Sequence, residues 1–365
     1  MDNSFTHKQV NWQDGMRIDK NHFVATDHFH IDHLNVTRSI LLHENNFGLL
    51  PSRDKTRVVN EIKLVSEGGL IKIERYSIAA LMFNGMLLMV DSDELNSLNM
   101  DTGNIQVGFD LNGFSEKDFC LLVKVNSFDG LGFGTCQSDD VSLRRPFLIS
   151  HFNFLLLPES KVKDSYFGDD FLILEKFSVS NTAVVPDTGY IPPVTAMIAH
   201  ELLVKYHKYV YDTINTVELC LIEIGRRYSN MNAESFRDTL IILSNNLLNA
   251  LARIKPEIKH RCLYESPFEL IIRIKELANI LNYTLTIRTS IGKDRFLDEV
   301  NRILGASKFE FEEMIKQIIN LEYRHYNISD AVSVTREFLE QISKIFQSLS
   351  EFEKSKKSAD IFIKK

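Results

Sequence analysis

One string in this 365-residue chain has residue types and spacing suited to catalysis. His28-Phe29-His30-Ile31-Asp32-His33 matches H-x-H-x-D-H, a zinc-binding signature of hydrolases. Three imidazoles and a carboxylate suit a zinc ion that keeps one position open for water. On that alternative the chain is a zinc-dependent hydrolase working through His28, His30, Asp32 and His33. The surroundings argue otherwise. In such hydrolases the string closes an apolar strand, whereas here Asn21-His22-Phe23-Val24-Ala25-Thr26-Asp27 precedes it. On a helix, at about 100° per residue, His28 and His30 stand about 200° apart and the rings diverge. The string reads as partly exposed helix histidines, and no metal ligand is assigned.

Gly130-Leu131-Gly132-Phe133-Gly134 invites a phosphate-cradle reading. Such cradles need a lysine and hydroxyl at fixed spacing, or a helix opening directly behind them. Thr135-Cys136-Gln137-Ser138-Asp139-Asp140 supplies neither, and its acidic pair repels phosphate, so a flexible loop between strands is expected. Cys220 and Cys262 fall in apolar helical surroundings and read as small core residues. Tyr206, Tyr209 and Tyr228 form a packing stripe. No catalytic or cofactor-binding residue is assigned, no cofactor is implied, and the chain is read as a non-enzyme.

Hydrophobic residues make up 44% and charged residues 25%, a globular balance with room for two or three cores. No apolar run approaches the roughly 18 residues of a membrane span, and the opening Met1–Thr6 has no basic end followed by an apolar stretch, so no export signal is expected. Cys120, Cys136, Cys220 and Cys262 have no paired spacing and read as reduced thiols in a cytoplasmic protein. A net charge of −7 disfavours nucleic acid as a partner, because phosphate backbones need a concentrated basic face.

Glycine divides the chain: 13 of the 16 lie before residue 190. Dense glycine between short apolar runs predicts strands and hairpins. Candidates are Ile71–Glu74, a hairpin at Asn84-Gly85 between Ile78–Phe83 and Met86–Val90, then Ile105–Leu111, Asp118–Val125, Arg145–Leu157 and Phe171–Phe177. They favour a β-sandwich or barrel over a parallel sheet, with Asn21 to about His43 as a helix packed on it. After Val185-Pro186-Asp187 and Ile191-Pro192-Pro193 the period changes to three and four. A helix from Pro193 to Tyr228 follows, then one from Asn232 to Ile254 that stops before Pro256. Ser266-Pro267-Phe268-Glu269 announces another, with glutamate returning to the cap. Asp294–Leu321 holds two helices broken near Gly305, and Ser329–Phe352 forms the last. The fold class is α+β: an amino-terminal antiparallel β-sandwich with a packed helix over 1–190, an antiparallel helical bundle over 191–353, and a flexible basic tail over 354–365.

Val10-Asn11-Trp12-Gln13-Asp14-Gly15-Met16-Arg17-Ile18-Asp19-Lys20-Asn21-His22-Phe23 resembles the opening of the TssK baseplate subunits of type VI secretion systems, V-x-W-x-[ED]-G-M-x-L-x-P-Q-H-F. Val10, Trp12, Asp14, Gly15, Met16, His22 and Phe23 match, and Lys20-Asn21 replaces the family's Pro-Gln. Tyr190-Ile191-Pro192-Pro193 is similar to the family's F-I-P-P junction, and Ser266-Pro267-Phe268-Glu269-Leu270 to its H-P-x-x-L-Y helix start. The resemblance implies a homotrimer whose sandwich "shoulder" binds TssF- and TssG-like wedge proteins. A helical "neck" follows, and a "head" docks the baseplate to a membrane-anchored complex at the inner face of the inner membrane. The expected head is missing here, so another adaptor is expected to make that link. Trp12, Met16, His22 and Phe23 are the candidate partner-binding residues, with Trp12 as a plug of the sandwich core the competing reading. A phage-tail receptor-binding adaptor is the remaining alternative.

Overall fold

The structure is a computed structural model that describes residues 6–52, 60–67, 69–98, 105–111, 116–135, 145–162, 170–180, 183–228, 235–288, 290–305 and 307–362. Cys136, the acidic pair Asp139-Asp140 and residues 363–365 lie outside them. The chain forms two compact units, Met1–Ala199 with His325–Asn327, and His200–Arg324 with Ile328–Lys365.

The first unit runs α1 (Lys20–Ser39), β1 (Gly48–Leu49), β2 (Glu61–Glu67), β3 (Leu70–Leu81), β4 (Leu87–Asp91), α2 (Ser92–Ser97), β5 (Gly108–Asp110), β6 (Asp118–Phe133), β7 (Phe147–Pro158), β8 (Phe171–Ser180) and β9 (Ala183–Pro186). In one sheet the long strand β3 pairs antiparallel with β1, β2, β4 and β5; the other has the order β7-β6-β8-β9. The sheets meet through aromatic side chains. The Tyr76 ring of β3 lies edge-on to Phe154 and Phe152 of β7, at 5.0 and 5.9 Å between centroids, a favoured geometry for buried rings. All three are buried.

The hairpin forms at Asn84-Gly85, where Leu81 pairs with Leu87. Gly85 has φ +86°, and a Cβ there would sit 1.9 Å from the Asn35 carbonyl oxygen of α1. Glycine is therefore required by the turn and by the helix lying on it. The glycine string Gly130–Gly134 departs from the expected loop: it continues β6 through Phe133, paired with β7 after a register shift between Asn126 and Gly130. Without a Cβ, Gly130 leaves room for Leu148 of the next strand, whose side chain comes within 3.0 Å of where one would stand. Strand pairing, not exposure, explains that glycine.

The second unit is helical: α3 (Glu201–Tyr228), α4 (Ser235–His260), α5 (Pro267–Ile287), α6 (Ser290–Leu304), α7 (Lys308–Ile319) and α8 (Ile328–Phe362). Helix α3 starts at Glu201 rather than Pro193. The preceding residues are spent on strand-like pairing: Leu49 N–H donates to the Pro193 carbonyl (2.8 Å) and Thr195 N–H to the Leu49 carbonyl (2.9 Å). Helix α4 runs through Pro256 instead of stopping before it. Ile254 and Ile258 on either side of the proline are buried, and His207 Nε2 meets the Ile258 carbonyl at 2.6 Å. Packing on both sides of the proline offsets the backbone bond it deletes. In α5, Ser266 accepts from Phe268 N–H, but Glu269 pairs with Arg273 (3.7 Å) rather than returning to the cap. Helix α8 extends to Phe362, past the expected end at Phe352. Its Phe338, Ile345, Phe346 and Leu349 are buried.

Candidate protein-docking face on the amino-terminal helix

The segment before α1 is built to display side chains. Asp19 caps the helix by accepting from Asn21 N–H (2.8 Å) and His22 N–H (3.3 Å). His22 Nδ1 accepts in return from Asp19 N–H (3.2 Å). This is a capping box with imidazole in the place usually taken by glutamate. The loop ahead turns at Gly15, with Met16 N–H bonded to the Gln13 carbonyl at 3.2 Å. It thereby lays Trp12 over the first turn of α1, with ring centroids 6.0 Å from His22 and 6.3 Å from Phe23. The four candidate residues are brought into one neighbourhood of the chain: Trp12 and Phe23 are exposed at 45% and 58%, while Met16 and His22 are half-buried. Trp12 lies outside the sheet core.

Helix α1 is inside out. Its buried residues are Asp32 and Asn35, whereas Phe23, Val24 and Leu34, with Ile40 and Leu41 just beyond, are exposed. Scattered exposed apolar residues are ordinary, but buried polar groups beside an exposed apolar run are informative. Asp32 is satisfied by the backbone: its Oδ2 accepts from His7 N–H at 2.8 Å. The His7 ring packs on His28 (4.9 Å) and Phe128 (4.5 Å), which pins the amino-terminal strap to the helix. Ile18, Leu34 and Leu41 are exposed as well and were not among the sequence candidates. The signal available in sequence was the absence of a clean 3.6-residue apolar stripe across α1.

The hydrolase string does not converge. His28 packs on His7, His30 on Phe29 (5.4 Å) and His33 on Phe29 (6.0 Å), while Asp32 is committed to the strap. Among the described residues no group of three His, Cys, Asp or Glu side chains could hold a metal ion. Burial pushes the Cys120 and Cys262 thiols up to about 11, far from the low values that make a thiolate nucleophile. Tyr206 is buried in the second unit with its hydroxyl 2.5 Å from Thr335 Oγ1. Tyr209 lies beneath the Arg336 guanidinium (4.7 Å), so both tyrosines pack.

No protein-family model matches the sequence and no curated protein sequence matches it. Solved structures do match. A crystal structure of TssK aligns over 92% of this chain and 69% of its own, at TM-score 0.55 and 11% identity. The fold is TssK-like. A chain of the baseplate complex from the type VI secretion system aligns over 93% of this chain and 99% of its own, at TM-score 0.56 and 12% identity. A cryo-electron microscopy structure of the type VI secretion TssK-TssF-TssG baseplate subcomplex contains a chain that aligns over 94% of this one and 99% of its own, at TM-score 0.53 and 11% identity. The TssK-like fold thus accounts for both units of this chain. Among the described residues no helix is long and apolar enough to cross a membrane.

Proposed function

We propose that this chain is a structural baseplate subunit of a type VI secretion system, a non-enzymatic homotrimeric adaptor. In this reading residues 1–190 are the shoulder that binds TssF- and TssG-like wedge proteins and residues 191–353 the neck, with the tail over 354–365. The adaptor links the wedge, through another subunit, to a membrane-anchored complex at the cytoplasmic face of the inner membrane. The observation that carries the reading is the fold likeness spanning 94% of this chain to a component of a TssK-TssF-TssG subcomplex. The exposed aromatic pair Trp12 and Phe23 supports wedge binding there, since buried tryptophan and its neighbours dominate interface energies. Exposed Leu219 of α3 and Ile242 of α4 support self-association through the bundle.

The test is the native mass of the purified chain, alone and mixed with TssF- and TssG-like wedge proteins. A trimer alone and a stable complex in the mixture are expected, with Trp12→Ala abolishing the complex while leaving the circular dichroism and melting temperature intact. A lone monomer indifferent to wedge proteins ends the proposal.

A further inference from the structure

The helical unit carries a groove that its own packing leaves open. Its volume is about 570 Å³, and its walls come from α7 and α8 with Leu304 at the end of α6. The floor is apolar: Phe311, Ile318 and Phe338 are buried beneath it, and Phe309 stands at its edge, 68% exposed. The side chains that reach its surface with charge are all acidic: Glu310, Glu313 and Glu337.

The nearby cations are paired: Lys308 is held by Asp298 at 2.8 Å, and Lys316 by the rim's own Glu313 at 2.7 Å. Lys293 is held by Glu312 at 2.7 Å. Arg336, the cation of α8 beside Glu337, lies over the Tyr206 and Tyr209 rings. Glu310 is turned to the backbone of Ser307, whose N–H it accepts at 2.5 Å; with Glu313 paired to Lys316, three carboxylates against one rim-bound lysine keep the rim net negative, and Glu337 is its principal open charge. An apolar floor inside a carboxylate rim fits an amphipathic segment with lysines flanking an apolar run.

The chain itself contains such a segment. Residues 354–365 hold Lys354, Lys356, Lys357, Lys364 and Lys365 around the run Ile361-Phe362-Ile363, with Asp360 the single acid. It cannot reach the groove of its own copy. Gln341 is the last residue of α8 at the groove, and α8 stays helical to Phe362, which places Lys354 about 20 Å and Phe362 about 31 Å further along the axis at 1.5 Å per residue.

We propose that the groove between α7 and α8 receives the segment 354–365 of a second copy of this chain. The basic segment then latches neighbouring subunits together in addition to any contact made by the bundle faces. The proposal rests on the self-association put forward above and adds a specific pair of surfaces to it.

The test uses the full-length chain, mixed from unlabelled and ¹⁵N-labelled preparations. It is treated with a zero-length carboxyl–amine cross-linker and read by mass spectrometry, so that links between copies differ in mass from links within one. Mixed-label links from Lys354, Lys356 or Lys357 to Glu313 or Glu337 are expected, weakening as salt screens the charges. Glu337→Lys should cut their yield at least several-fold, and combining it with Lys356→Glu and Lys357→Glu should restore part of it. Links confined to one copy overturn the proposal. So does a trimer whose mass and tail cross-links are unmoved by Glu337→Lys, a result that leaves the adaptor reading standing. A monomer overturns both.

Discussion

Glu175 offers a sharp test of how the sandwich is held. It lies on β8 opposite Leu121, just past a register shift between Leu121 and Leu122. That shift turns it to the side of β6 that carries Leu121 and Val123. Val123 pairs with Phe154, the ring that meets Tyr76 of the facing sheet. Burial is the sole cause acting on its carboxyl and pushes it from 4.5 up to about 7. The sign follows directly: the folded state holds the proton more tightly than the unfolded chain. The cost is absent below about pH 4.5, grows as pH rises, and is complete above about pH 7. At 1.36 kcal/mol per pH unit, ionised Glu175 costs the fold about 3 kcal/mol at pH 8. Glu175→Gln keeps the shape and removes the charge. The variant should gain up to about 3 kcal/mol at pH 8 and converge on the parent toward pH 4.5. Urea unfolding at half-unit steps from pH 4.5 to 8, followed by the fluorescence of Trp12, the single tryptophan, measures this directly. A variant no more stable than the parent at pH 8, or a gain independent of pH, refutes the reasoning.

His325 should show the opposite dependence. Its ring is buried with Nε2 2.8 Å from the Phe47 carbonyl, and burial outweighs that bond and pulls its pKa from 6.5 down to about 4. Stability from the neutral ring is present above about pH 6.5 and lost as pH falls to about 4, about 3 kcal/mol in all. The slopes of Glu175 and His325 oppose each other between pH 4.5 and 6.5, so Glu175→Gln should unmask the acid loss; a flat profile in that variant would count against it. Gly85→Ala forces a side chain into a left-handed turn and against Asn35, and should cost at least about 1–3 kcal/mol in urea unfolding. Ser266→Ala removes the hydroxyl cap of α5 and should cost about 1 kcal/mol, read as a lowered melting temperature.

What was legible in the sequence was local chemistry. Asn84-Gly85 announced its hairpin because a tight turn needs positive φ, and Ser266-Pro267 announced α5 because a hydroxyl cap and first-turn proline act within four residues. The break between α6 and α7 at Gly305 was legible for the same reason. What failed depended on distant partners. The period through Ile198 could not reveal that Val194 bridges to Leu49, nor could Pro256 reveal that buried Ile254 and Ile258 would carry α4 through it. Gly130-Leu131-Gly132 looked like a loop because the side chain filling its space, Leu148, arrives from the next strand. The docking candidates Trp12, Met16, His22 and Phe23 were legible as a motif. The exposure of Leu34 on α1 was not, since only the fold shows which face of that helix is already spent on Asp32 and Asn35.

The sheet unit is not finished where its strands end. It incorporates His325–Asn327, a tripeptide encoded more than a hundred codons after β9, and the His325 ring rests against Phe47 at 4.9 Å. A nascent chain emerging from the ribosome therefore holds all nine described strands of this unit well before it owns the imidazole that packs beside Phe47. Maturation of the amino-terminal half must wait for most of the carboxy-terminal half to be translated. A fragment cut at Ala199 would carry a permanent hole beside Phe47, which makes any attempt to produce the sheet unit alone a test of how much one borrowed side chain matters.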